Sequence, residues 1–280
     1  MEKTNNNDNN KWWINMKKVK FYSKIYLLIL KQDIKTKLSY NKDFVISIVG
    51  ILLTNIAGFV EFWVIFNNFP SIKGWSYYEL IFMYAFSLLA ITPSQCFFEN
   101  NWNLINNVYS GDFIKYCLKP VNIFFYYISE TFDIKGIAQF FMGIVLLVFS
   151  WMKLGIEFNI LILIVFFINW ITASIFMISI MTLASSTGFY FLNSDILMTL
   201  VFKFKDYARY PIPIYSSVLK FIFTFILPIG FLAYYPSLPL LRKNEISFVS
   251  YMAPFCALIL LYFTYRIWMK GALSYDGTGN

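Results

Sequence analysis

Histidine is absent from all 280 residues, and Asp, Glu, Lys and Arg together make up only 14% of the chain, against about 25% in ordinary soluble domains. Without imidazole there is no histidine metal ligand, no Ser–His nucleophile pair of the intramembrane-protease kind and no histidine proton relay. Cysteine is equally thin: Cys96, Cys117 and Cys256 are an odd number with no paired spacing. That argues against a disulfide framework or a zinc site and leaves packing thiols. No G-x-x-x-x-G-K-[ST] sequence occurs, so the chain has no P-loop for nucleotide phosphates. Tyr275-Asp276 has the look of half an aspartyl protease dyad, but it lies in a polar tail with no second aspartate motif inside an apolar run. The residue sets that catalysis needs are missing, and no catalytic, cofactor-binding or metal-ligating residue is assigned.

What the chain has is apolar length. It is 59% hydrophobic and 21% aromatic, with a mean hydropathy of +0.59. Six runs (44–66, 80–98, 136–152, 158–194, 221–241 and 246–265) hold a single Asp, Glu, Lys or Arg between them, Glu61. A helix needs about 20 apolar residues to cross a hydrocarbon core of about 30 Å, and six such runs exceed what one soluble core absorbs. The expectation is an all-α integral membrane protein with one membrane domain, 43–270, of six transmembrane helices.

The charge of +8 is unevenly spread: ten of the 23 Lys and Arg residues lie in 1–42, whereas the loop 67–78 has only Lys73. Basic residues beside a span stay cytoplasmic, which places the N-terminus inside. Charge beside spans favours anionic lipid headgroups rather than nucleic acid. Residues 1–16 are Asn-rich and expected to be a disordered polar tail, with Trp12 and Trp13 as interfacial anchors. Residues 17–42 read as an amphipathic interface helix. Lys17, Lys24 and Lys31 recur at seven, and Lys20/Lys24 and Lys31/Lys35 at four, while Phe21, Ile25, Leu28, Leu30, Ile34 and Leu38 take much of the remaining surface. The apolar cluster 25–30 is too short for a cleavable leader and is followed by Lys31, Asp33, Lys35 and Lys37, so insertion is expected to begin at Phe44.

Glu61 falls toward the outer boundary of the first span. A charged side chain such as Asp costs about 2.5–3.5 kcal/mol at the centre of a span and much less near the interface. Glu61 is therefore either of no consequence or faces a polar pathway or a partner. The segment 99–135 is the most polar interior stretch and, by alternation, cytoplasmic. Residues 101–109 can form a short helix with Trp102, Ile105, Val108 and Tyr109 on one side and Asn103, Asn106 and Asn107 elsewhere. Ser110-Gly111-Asp112 then breaks the chain, with Ser or Asp suited to cap the next turn, and Pro120 ends that turn. Such a helix has little hydrophobic reason to exist unless it docks onto another protein.

The later segments admit two arrangements. The run 158–194 exceeds one span, so its helix protrudes or ends near Ser185-Ser186-Thr187-Gly188. Residues 195–204 are apolar enough to enter a membrane, yet Lys203, Lys205, Asp206 and Arg209 crowd their end. The run 221–241 contains Pro228, Pro236 and Pro239 beside Gly230, and each proline removes a helical hydrogen bond. In one arrangement 195–210 is span five and 221–241 an outer re-entrant hairpin, where protein or water covers the irregular backbone. In the other, 187–215 is a cytoplasmic loop and 221–241 is span five. The last span ends at Arg266 and Lys270, which places the C-terminus inside.

Three segments carry a family resemblance. Ser110-Gly-Asp-Phe-Ile-Lys-Tyr-Cys-Leu-Lys-Pro-Val-Asn122 resembles a signature after span two in a group of bacterial permease subunits of ATP-binding-cassette (ABC) transporters, in the type 2, exporter-like class. Asp206-Tyr-Ala-Arg-Tyr-Pro-Ile-Pro-Ile-Tyr215 is similar to the aromatic-Ala-Arg-Tyr-Pro segment of that group. Leu227-Pro-Ile-Gly-Phe-Leu-Ala-Tyr-Tyr-Pro-Ser-Leu-Pro-Leu-Leu241 resembles its next block, and the tail 271–280 has the same shape. A longer, Asn-rich N-terminus and Cys117 within the Gly-Asp block are this chain's departures.

The resemblance implies a non-catalytic permease subunit in a bacterial cytoplasmic membrane, with both termini cytoplasmic, acting in export. It would dimerise with itself or a related permease and sit on separate ABC ATPase subunits that bind the ATP, with no cofactor in this chain and membrane lipid as its surroundings. The loop 99–131 would be the coupling element, through Trp102, Asn106, Gly111, Asp112, Lys115 and Pro120. The class also has an outer re-entrant region, here 211–241, which selects the first arrangement. Glu61, Asp195, Lys203, Asp206 and Arg209 would then be polar residues of the pathway or interface, unless Asp206 and Arg209 simply pair with each other or anchor the hairpin. An ATP-independent secondary transporter should show internal repeats and paired intramembrane ions; no repeat is evident and Glu61 has no evident partner. A membrane-embedded accessory protein is the remaining alternative, and a membrane enzyme would need clustered polar groups that are missing.

Overall fold

The computed structural model describes residues 6–39, 41–191 and 194–276. Its helices are α1 (Asn6–Ser39), α2 (Asn41–Asn68), α3 (Tyr77–Phe97), α4 (Leu104–Tyr109), α5 (Ile114–Cys117) and α6 (Ile123–Ser129). They continue as α7 (Lys135–Leu154), α8 (Ile160–Ser186), α9 (Asp195–Phe204), α10 (Ser217–Phe221), α11 (Tyr234–Leu241) and α12 (Phe248–Leu273). The described residues form no strand; one isolated bridge joins Ile72 and Trp75. The all-α membrane class is as expected. Among the described residues five helices, α2, α3, α7, α8 and α12, are long and apolar enough to cross a membrane.

Helix α1 begins well before residue 17, and 6–16 are helical where a disordered tail was expected. Nucleation is the costly step of helix formation, so an established helix extends through neighbouring residues at little further cost. Its half-buried stripe is Tyr22, Ile25, Tyr26, Ile29, Leu30, Asp33, Ile34 and Lys37, at three- and four-residue spacing. The stripe is tied to the rest of the chain by Tyr22, whose ring meets Phe125 edge-on at 4.8 Å, and by Asp33, which accepts from Phe132 N at 3.0 Å. Phe21, Leu27, Leu28 and Leu38 remain exposed among the lysines.

The hub is α3. Of its apolar stretch 83% is buried inside the molecule, against 17% for α2. Ser76 and Glu79 close a reciprocal capping box at its start, with Ser76 N donating to Glu79 Oε2 at 2.8 Å. Pro93 lies inside the helix and offers no N–H to the carbonyl four residues back. That carbonyl, Leu89 O, instead accepts from Trp170 Nε1 of α8 at 2.9 Å. The helix therefore keeps a proline without leaving an unpaired acceptor.

The segment expected to be span five is built differently from these five helices. Helix α9 has ten residues, about 15 Å of rise, and runs directly into a 3₁₀ turn over Lys205–Arg209, about 10 Å more. Near the end of α9 Phe202 packs edge-on against Trp102 of the 99–131 loop at 5.3 Å. Beyond its end, Lys73 Nζ donates to Pro213 O at 3.3 Å. Between Phe202 and Pro213 the chain thus passes from the 99–131 loop to the α2–α3 turn. Two charge pairs lie along this stretch, Arg209 with Glu61 and Asp206 with Lys205.

Residues 211–241 then double back. Short helical turns lead through α10 and a π turn over Ile222–Ile226 to a 3₁₀ turn over Ile229–Leu232, then out along α11. The apex residue Phe231 stacks on Phe176 of α8 at 4.5 Å. The return is fixed by Arg242, which donates to Glu79 Oε1 at 2.7 Å and Gly74 O at 2.6 Å and lies over the Trp75 ring at 3.8 Å. Both limbs therefore end beside the α2–α3 turn. Ile229, Gly230, Phe231 and Leu232, where the backbone is least regular, are all buried.

Candidate functional site

Helix α2 carries Ile51, Thr54, Asn55, Gly58 and Glu61 at three- and four-residue spacing, which puts them on one face. That face, with parts of α3, α7 and α9, encloses a cleft of about 490 Å³. Glu61 Oε2 lies 3.2 Å from Arg209 Nη1, and Tyr210 Oη donates to Glu61 Oε1. Tyr84 of α3 donates to the backbone oxygen of Asn55 at 2.9 Å. The close fit depends on Gly58: a Cβ there would stand 2.6 Å from Tyr84 Oη and 3.0 Å from Arg209 Nη1.

Of the residues expected to form a polar pathway, Glu61, Lys203, Asp206 and Arg209 come together in this cleft. Asp206 and Arg209 do not pair with each other. Arg209 reaches across to Glu61, and Asp206 takes Lys205 at 2.8 Å. Asp195 stands apart, at the start of α9 on an exposed face with Thr199 and Lys203, and lines a separate shallow pocket. Sequence reasoning missed Thr54, Asn55, Gly58, Tyr84, Gln95 and Gln139. The signal for the first three was present, as polar or small residues in register with Glu61.

The second candidate site is the loop 99–131, and it has a core of its own. Leu104, Phe113, Tyr116 and Tyr127 are fully buried and meet Trp268 near the end of α12. Phe113 touches the rings of Tyr116, Tyr127, Phe189, Trp268 and Tyr275 at 5.1–6.0 Å. Contrary to the sequence expectation, the short helices therefore have a hydrophobic reason to exist, and it lies far along the sequence at Trp268 in α12. The helix expected over 101–109 is divided into a 3₁₀ turn over Glu99–Asn103 and α4. Its buried anchors are Asn101, bonded to Thr182 Oγ1 at 3.0 Å, and Leu104, whereas Tyr109 is 74% exposed.

Trp102 is half-buried against Phe202, and Asn106 is exposed. Gly111 has φ +85°, a left-handed conformation that favours glycine. Ser110 Oγ donates to Asp112 Oδ2 at 2.8 Å, so these residues bond each other within the turn; neither caps α5. Lys115 Nζ pairs with Glu130 Oε1 at 3.1 Å, and Tyr116 Oη donates to the same carboxylate. Pro120 is exposed. The outer surface carries Tyr109, Ile114 and Leu118, all exposed, beside Asp112, Lys119 and Pro120. At the foot of α3, burial pushes the Glu99 carboxyl up to about 7, and Asp133 adds to the rise, while Lys135 and Lys37 act against it.

The sequence model described as ABC-2 family transporter protein matches residues 52–279. The chain belongs to that family. No curated protein and no solved structure matches it. In this ABC-2 type permease, residues of the three segments that carried the sequence resemblance act as joints. Phe113 is the centre of the loop core, and Asn122 caps α6 by accepting from Phe125 N at 2.9 Å while donating to Tyr265 Oη at 3.1 Å. Arg209 and Tyr210 both bind Glu61, and Tyr275 in the tail donates to Val108 O at 3.4 Å. In the ABC-2 permease these segments thus fasten the loop, α9 and α12 to the rest of the bundle.

Proposed function

We propose that this permease forms half of a translocation pathway in export and takes its energy from separate ABC ATPase subunits through the loop 99–131. The observation that carries the reading is the exposed apolar ridge Tyr109, Ile114 and Leu118 on a loop whose inner side is firmly anchored. An exposed apolar patch rimmed by polar residues marks an interaction surface. Asn106, Asp112, Lys115 and Pro120 of the same loop are exposed as well, Trp102 joins the loop to α9, and Gly111 makes the turn between α4 and α5. Motion imposed on the ridge by ATP-driven closure of the partner would pass through Phe113 to Trp268 of α12, and through Trp102 to Phe202 of α9.

The same proposal makes 211–241 a re-entrant hairpin on the outer side and puts both termini in the cytoplasm of a bacterial cell. It sets α2 and α9, the least covered flank of the cleft, against a second permease, so that Glu61, Lys203, Asp206 and Arg209 border the path; Asp195 belongs to the interface instead. The Glu61–Arg209 pair also bears on the rival reading of an ion-coupled transporter, since a carboxylate held by an arginine is not free to pick up a coupling ion. Purification from native membranes in mild detergent, with mass spectrometry of the accompanying chains, tests the proposal. A stoichiometric ABC ATPase is expected, and Leu118→Asp with Tyr109→Asp should remove it. Its absence under several mild conditions would overturn the reading.

A further inference from the structure

Among the described residues, three that line the α2/α9 cleft each carry a buried polar atom without a partner: Asn55 Nδ2, Arg209 Nε and Gln95 Oε1. Asn55 is 6% exposed, and its backbone oxygen is taken by Tyr84 while its side-chain amide is not. Arg209 spends Nη1 on Glu61 and leaves Nε over. Buried donors are costly to leave unmet, which makes a cavity holding several of them a site for an acceptor.

The charge points the same way. Lys203, Lys205 and Arg209 face Glu61 and Asp206, and the two carboxylates are consumed by Arg209 and Lys205. Among the described residues Lys203 has no carboxylate partner, so the cleft holds one uncompensated cation. The wall beside these groups is apolar, formed by Ile51, Leu88, Ile91 and Phe202.

We infer that the cleft binds an amphiphile with a single oxyanion headgroup, a phosphate or carboxylate on an apolar body. The headgroup takes Lys203 and the free donors of Asn55 and Arg209. The body lies along the Ile51, Leu88 and Ile91 wall, and Gln95 Oε1 accepts from a hydroxyl on it. As a statement about substrate the inference rests on the permease reading; as a statement about binding it stands by itself.

The test is equilibrium binding to the purified full chain in nanodiscs of phosphatidylcholine, with dodecyl phosphate, dodecyl maltoside, dodecyltrimethylammonium and inorganic phosphate as probes. Dodecyl phosphate should bind saturably and about tenfold or more tighter than the neutral and cationic amphiphiles, the scale of one charge-assisted hydrogen bond. Lys203→Gln, at an exposed position, should remove most of that preference, and Asn55→Ala part of it, while Lys119→Gln on the distant loop should leave it intact. Equal binding of the three headgroups, or a preference indifferent to Lys203→Gln and Asn55→Ala, would overturn the inference. Inorganic phosphate binding as tightly as dodecyl phosphate would reduce the ligand to a small anion and overturn the amphiphile. Neither result touches the ATPase co-purification, so the two readings fall separately.

Discussion

Replacing Phe113 by alanine should detach the loop 99–131 from the membrane helices without unfolding them. The side chain is fully buried, lies outside the apolar spans and is ringed by five aromatic residues. Truncation of a buried Phe to Ala costs about 3–5 kcal/mol through lost burial and the cavity left behind. Because the damage is local, it should appear as a rise in the opening equilibrium of the loop on the order of 10²–10⁴-fold. Hydrogen exchange by mass spectrometry reads this directly. Phe113 N, bonded to Asn107 O at 2.9 Å, and Tyr116 N, bonded to Phe113 O at 3.0 Å, should lose protection in Phe113→Ala. Amides of α3 and α8 should keep theirs, and Phe113→Leu should lose only about 1 kcal/mol. Unchanged exchange in the loop, or loss spread equally over the spans, would refute the claim that Phe113 is the joint between loop and bundle.

Gly58→Ala would drive a Cβ into Tyr84 Oη and Arg209 Nη1, 2.6 and 3.0 Å away; overpacking of about 1–3 kcal/mol should appear as a melting point lower by several degrees in detergent. Trp170→Phe strands the Leu89 carbonyl above Pro93 and should destabilise by about 1–3 kcal/mol, while adding Pro93→Ala returns a helical N–H to that carbonyl and should recover most of the loss in thermal unfolding. Glu99, raised from its ordinary 4.5 to about 7 by burial and Asp133, binds its proton more tightly when folded. Its contribution is therefore present below about 4.5 and disappears as the pH rises through about 7. Melting points at pH 5 and pH 8 should differ in that direction, and Glu99→Gln should narrow the gap.

The spans were legible because each is a one-dimensional property, an apolar run of sufficient length. The segment 195–210 was ambiguous because α9 is short and is followed by charges, and the partner of Arg209 is Glu61, distant in sequence and visible only in three dimensions. The same distance hid the loop core: nothing in 99–131 points to Trp268, so its helices looked unsupported from the sequence. The ridge residues were nearly in reach, but Leu104 rather than Tyr109 faces inward, because the segment begins as a 3₁₀ turn and shifts the helical register. The polar stripe of α2 was legible in principle, since Thr54, Asn55, Gly58 and Glu61 keep helical spacing within an apolar run.

On the proposed reading, one end of this permease docks an ATPase through the Tyr109, Ile114 and Leu118 ridge. A photoreactive amino acid at Leu118, and another at Phe69 beside the opposite end of the bundle, tests it most directly, because both side chains are exposed. Irradiation of intact cells should join the chain to an ABC ATPase from position 118 and not from position 69. Capture of the ATPase from position 69, or from neither, would contradict the account.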